Sequence, residues 1–124
     1  MALQSITLVP TTTFGTATGN YDGNSSTFYS DKQKGDGYYG YTDGLHTVAY
    51  YLSNFVGEIT MQATLSKSPS DNDWFDVDNT TNSYDGSTAQ TLQEAYNFTG
   101  NFVWVRAKIT NFTDGTIRKI VFNY

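Results

Sequence analysis

From residue 58 to residue 65 the chain alternates polar and apolar side chains without a break. Glu58, Thr60, Gln62 and Thr64 point one way, and Ile59, Met61, Ala63 and Leu65 the other. Successive side chains of a strand leave opposite faces, so this period of two reads as a strand with one wet face and one buried face. Residues 66–73 then bring Ser-Pro and Asp-Asn-Asp, which favour turns, before Trp74, Phe75 and Val77 resume an apolar pattern. The whole of 57–77 reads as a hairpin at the centre of a sheet. Residues 102–109 alternate as cleanly, with Val103, Val105, Ala107 and Ile109 opposed to Phe102, Trp104, Arg106 and Lys108. The two apolar rows are expected to meet at the centre of the core.

Other segments extend the same pattern. Residues 3–9 form a first strand with Ile6 and Leu8 on one face, ended by Pro10, which cannot donate to a ladder. Residues 11–37 are a polar tract broken by Phe14, Tyr21, Phe28 and Tyr29. As pure loop that is too long for a compact domain, so it should hold one or two short strands, with 27–30 a candidate, or form an arm lying across a neighbouring subunit. Asp43-Gly44 signals a turn. Val48, Tyr50 and Leu52 oppose Thr47, Ala49 and Tyr51 in the next strand, and 46–65 is either two paired strands or one long strand bent at Gly57. The helix-tolerant residues 89–96 read as strand or irregular. Thr113-Asp114-Gly115 reads as a tight turn joining 102–109 to 116–124, where Ile120, Phe122 and Tyr124 share a face. Seven to nine short strands and no helical periodicity give an all-β fold, an antiparallel β-sandwich or jelly roll, with a small barrel as the alternative. At 124 residues the chain fits one such domain, with residues 10–37 its polar arm or long loop.

The residue inventory narrows the chemistry. With no cysteine there is neither a disulfide framework nor thiolate chemistry, and a single histidine, His46, cannot complete a usual zinc site. No serine lies in a G-x-S-x-G context, so a nucleophilic triad has no support. Asp71, Asp73, Asp76 and Asp78 surround Trp74, yet the run lacks the glycine and distal glutamate of a calcium loop, and a solvated turn is the simpler reading. No enzymatic activity, cofactor or metal is therefore expected. A net charge of −5 argues against nucleic acid, although four of the seven cations, Arg106, Lys108, Arg118 and Lys119, fall in the last nineteen residues. No apolar run approaches the ~20 residues of a membrane helix, and MALQSITLVP lacks the charged start of a secretory signal. The Asn-x-Ser/Thr sequons at Asn24, Asn79, Asn97 and Asn111 then read as incidental.

Aromatic residues make up 16 % of the chain, including ten tyrosines, and they are the remaining candidates for function. Tyr38, Tyr39 and Tyr41 lie between glycines in GYYGYTDG. Trp104 alternates onto the face of Arg106 and Lys108, where a buried layer would not keep two cations. Three readings stay open: a second layer with the cations at its rim, a subunit interface, or a platform for sugar rings. Tyr38, Tyr39, Tyr41, Trp104 and Arg106 are the candidate contacts with a partner or glycan.

Two segments also resemble a motif set of small virion structural proteins of tailed phages, particularly phages of marine cyanobacteria. The first is a G-x-I-x-x-Q-A-T/S-L strand, here Gly57, Ile59, Gln62, Ala63, Thr64 and Leu65, followed by the Asp73-Trp74-Phe75 segment. The second is G-N-F-x-W-V-R-A, here Gly100, Asn101, Phe102, Trp104, Val105, Arg106 and Ala107. The resemblance spans roughly the last two-thirds of the chain and implies a non-enzymatic capsid-decoration or tail-associated β-sandwich. On that reading the protein is made in the host cytoplasm and works in the virion. Its partners would be other virion proteins and further copies of itself, with a host surface glycan as a further candidate and neither nucleic acid nor membrane. A glycan-binding β-sandwich module, adhesin or carbohydrate-binding domain, is the alternative.

Overall fold

Two strands of twenty residues each, β5 (Leu45–Thr64) and β9 (Trp104–Asn123), lie side by side and antiparallel. They belong to a computed structural model that describes residues 5–40, 44–86 and 91–123. The other strands are β1 (Ser5–Val9), β2 (Thr12–Thr13), β3 (Phe28–Tyr29), β4 (Gln33–Lys34), β6 (Phe75–Asp76), β7 (Asn82–Tyr84) and β8 (Thr91–Thr99). Short 3-10 turns occupy Asp36–Tyr39 and Asp71–Asp73, and the described residues contain no α-helix. β1 to β4 pair in succession along the outer edge of β9, and β8, β7 and β6 along the outer edge of β5, giving one nine-stranded antiparallel sheet.

A straight strand of this length would span roughly 65 Å, whereas a domain of this size has a radius of gyration of about 14 Å. Both long strands therefore bend. The β5–β9 register shifts between Ser53 and Val56 and again between Val56 and Glu58. Near the shifts Asn54 and Asn111 each adopt φ 54°, a left-handed conformation that asparagine tolerates better than most residues. Gly115, at φ 83°, lies against the Asn54 carbonyl, where a Cβ would collide. The unpaired residues also change which parity faces inward. Val48, Tyr50 and Leu52 point into the core before the bend and Ile59, Met61 and Ala63 after it, each at most 1 % exposed.

The bend folds the sheet over itself, so one sheet supplies both layers of the sandwich. Tyr50, on the first half, donates its hydroxyl to the Thr80 carbonyl at 2.8 Å. Thr80 Oγ1 accepts the Met61 N–H at 3.1 Å on the second half and donates to the Val77 carbonyl. At the far end His46 stacks on Phe98 and Phe122, meets Phe102, and accepts the Asp36 N–H through Nε2 at 3.2 Å. At the bend the Phe112 ring packs among Phe14, Tyr21, Phe28 and Phe55.

The expected core rows are paired directly, Ile59 with Ile109, Met61 with Ala107 and Ala63 with Val105, all fully buried. Burying such a side chain contributes roughly 1.5–3 kcal/mol for each large residue. The 57–77 hairpin is present as the β5–β6 pair, with β5 central but β6 at the edge of the sheet, and β3 falls inside 27–30. Three expectations are corrected. Thr113-Asp114-Gly115 is not a hairpin turn: β9 runs through it, because its neighbour β5 bends in parallel and keeps pairing on both sides. Leu65 leaves the apolar row just past the end of β5 and is 65 % exposed. Thr60, Gln62 and Thr64 are buried rather than wet: Gln62 lies under Arg106 of β9, Thr60 bonds Thr81, and Thr64 accepts the Ser66 N–H.

Candidate functional site

The covering layer on the outer face of the second half is the candidate site. Alternation along β9 sends Trp104, Arg106 and Lys108 outward, directly opposite Thr64, Gln62 and Thr60 of β5. Lys34 of β4 pairs with Trp104 on the other side, Tyr29 of β3 with Lys108, and Asp76 of β6 with Gln62. Residues from five strands thus share one surface. The 3-10 turn adds Tyr38 and Tyr39 at its end: Gly35 and Gly37 donate their N–H groups to the Val103 and Phe102 carbonyls. Any Cβ at Gly35 or Gly37 would strike the backbone of residues 101–102, so only glycine lets this strap lie so close.

Arg106 is the hinge of the polar network. Its guanidinium lies over the Tyr29 ring, 4.2 Å from the centroid, and the Trp74 ring at 4.3 Å. Nε donates to Gln62 Oε1 at 2.9 Å, Gln62 Nε2 donates to Asp76 Oδ1 at 3.0 Å, and Lys108 Nζ pairs with the same carboxylate at 2.8 Å. Partial burial against the rings pulls the Arg106 guanidinium down from its usual range. The Lys108 hydrogen bond, aided by Gln62, holds the Asp76 carboxyl below the usual carboxylate value against the cost of burial.

The aromatic part adjoins it. Trp104 donates its indole N–H to the Lys67 carbonyl at 2.9 Å, and its ring meets Tyr38 edge-on at 5.1 Å. Tyr38 in turn packs edge-on against Tyr39, which is 43 % exposed. Lys32 lies 5.0 Å from the Trp104 centroid and Lys34 4.5 Å from that of Tyr38. Each such cation–ring contact is worth roughly 0.5–1 kcal/mol at an exposed site.

No protein-family model and no curated protein sequence matches the chain. Among solved structures it is similar to the K3 cleaved adhesin domain of Lys-gingipain from Porphyromonas gingivalis, at 9 % identity and TM-score 0.47, covering 79 % of this chain and 63 % of that one. The K2 cleaved adhesin domain of Lys-gingipain aligns at 10 % identity and TM-score 0.43, with coverages of 78 % and 58 %. The chain therefore spans about three-fifths of the length of these two domains. The CBM22-1–GH10 modules of xylanase 10B from Clostridium thermocellum, solved with xylohexaose, align at 12 % identity and TM-score 0.45, covering 94 % of this chain and 26 % of that one. At this distance no residue role or ligand is carried over.

Of the sequence candidates, Tyr38, Tyr39, Trp104 and Arg106 converge on this face, and Tyr41 lies outside the described residues. Trp74, one of the aromatics the sequence offers for a platform, joins them against Arg106, whereas sequence reasoning missed Tyr29, Lys32 and Lys34 as neighbours of the same group. Their signal was the Tyr-Ser-Asp-Lys-Gln-Lys run of residues 29–34, which was absorbed into a polar tract. The cations grouped by the sequence near its end part company: Arg106 and Lys108 join this face, whereas Arg118 and Lys119 lie past the bend against Tyr51. The aspartates around Trp74 divide too, Asp73 accepting the Ser70 N–H and hydroxyl and Asp76 holding Lys108. Among the described residues no group of three His, Cys, Asp or Glu is placed to hold a metal.

Proposed function

We propose that this chain is a non-enzymatic binding module whose aromatic and cationic face recognises a glycan. The observation that carries the reading is the Tyr39–Tyr38–Trp104 array, formed by the 3-10 turn against β9, lying beside the Arg106–Gln62–Asp76 chain of the sheet. Sugar rings present apolar C–H faces and a rim of hydroxyls, so they are recognised by partly exposed aromatic surface next to fixed donors and acceptors. Here Arg106, Gln62 and Asp76 sit on paired strands, which fix their spacing. A glycan array probed with the full chain and with the Tyr38→Ala/Tyr39→Ala variant tests this. Hits that drop at least tenfold in the folded variant support it; an array without hits overturns it.

Assembly in many copies, the role implied by the resemblance to phage virion proteins, is the second reading. It is favoured by β8, a nine-residue strand that pairs with β5 alone among the described strands and so presents a strand-long edge. Sedimentation at rising concentration, together with a search for the chain in purified particles, tests that role. A monomer at every concentration, absent from particles, would set it aside.

A further inference from the structure

We infer that the ligand of this face is anionic, a polysaccharide bearing uronate or other acidic groups; the inference rests on the glycan reading. The chain carries a net charge of −5 and only seven lysines and arginines, yet four of these come together here, Lys34 from β4, Arg106 and Lys108 from β9, and Lys32 from the link between β3 and β4. Their distribution is uneven in a second respect. Among the described residues one ion pair is formed, Lys108 with Asp76. Lys32 and Lys34 rest against the Trp104 and Tyr38 rings instead of a carboxylate.

Arg106 gives the more specific signal. Its Nε is used by Gln62, and its two terminal NH2 groups make no hydrogen bond among the described residues, although the Asp71 carboxylate lies near enough to favour its charged form. Its Cζ also lies over two rings, Tyr29 at 4.2 Å and Trp74 at 4.3 Å. A guanidinium with its fork unfilled is suited to a carboxylate, which it binds through two parallel hydrogen bonds. A lysine over a ring can swing away on its flexible stem to meet a second acidic group, leaving the ring face for a sugar. Three cations beside an aromatic array therefore match a chain of acidic sugars better than a neutral one, and in a protein of opposite overall charge they mark where such a ligand can approach.

Binding of the full chain to polygalacturonate, its methyl ester, alginate, hyaluronan and neutral xylan and galactan, measured by calorimetry at low and high salt, tests the inference, with polyglutamate as the protein-like polyanion. Acidic polysaccharides are expected to bind and the methyl ester and neutral polymers to bind at least tenfold more weakly. Raising the salt concentration and the surface variant Lys32→Gln/Lys34→Gln should each weaken binding by about tenfold. Equal binding of polygalacturonate and its ester, or of neutral polymers alone, would overturn the acidic ligand and leave the glycan reading standing. Binding to polyglutamate without any polysaccharide, or to none of these, would overturn both.

Discussion

Tyr50 shows how a single side chain joins the two layers. Its hydroxyl spans from the first half of the bent sheet to the loop that also fixes Met61, and desolvation pushes its ionisation far above the ordinary value of 10.0. Tyr84 is pushed up to about 12, also mainly by burial. When the pH rises past 10, the unfolded chain loses these protons while the folded chain keeps them, so stability should fall with pH in that window. Tyr50→Phe leaves the Thr80 carbonyl without its partner and should cost about 1–3 kcal/mol at neutral pH. It should also make the alkaline decline shallower, as urea unfolding at pH 7 and above pH 10 would register. Asp76 works on the acid side with the opposite sign. Its depressed carboxyl contributes stability above the ordinary value of 3.8, which is lost as the pH falls through the folded value. Because its side chain is 55 % exposed, Asp76→Asn should cost no more than about 1 kcal/mol at pH 7 and should flatten the acid limb of the same curve. Residues of this kind were partly legible. The outward position of Trp104 with Arg106 and Lys108 followed from alternation, but their contacts with Tyr29, Lys32 and Trp74 depend on pairings across tens of residues that no local pattern encodes.

At the level of elements, the alternation of 58–65 and 102–109 located the core correctly, because burial of one face imposes a period of two wherever a strand is regular. It failed where the strands bend. Unpaired residues around Asn54 and Asn111 reverse the parity, so a continuous strand reads as two, and Thr113-Asp114-Gly115 reads as the turn between them. Of the two-residue strands of the polar tract, β3 fell where a strand was expected, whereas β2 and β4 were hidden by their brevity, since they depend on β9 for pairing rather than on a pattern of their own. The bend is open to direct test. Gly115→Ala places a Cβ against the Asn54 carbonyl in a left-handed residue and should cost at least ~2 kcal/mol. Asn111→Gly, which accepts the same backbone, should change stability by no more than a few tenths of a kcal/mol, whereas Asn111→Val should cost about 1–2 kcal/mol. Thermal unfolding of the three variants would distinguish a backbone requirement from a loss of asparagine contacts, which Gly and Val would remove alike.

Over the whole molecule, the bend assigns different work to the two outer faces. One carries Tyr51 with Arg118 and Lys119, and the other gathers the aromatic strap, the Arg106 network and the lysines around it. The fold alone dictates no ligand; the claim rests on that second face. Both tryptophans of the chain, Trp74 and Trp104, belong to it, Trp74 against Arg106 and Trp104 beneath Lys32. Intrinsic tryptophan fluorescence therefore reports on the proposed site and on no other part of the protein. Titrating the full chain with polygalacturonate should shift or quench that emission in a saturable way, with the same midpoint as binding measured by calorimetry. Calorimetric binding that saturates while the emission stays unchanged would place the ligand elsewhere and contradict the account.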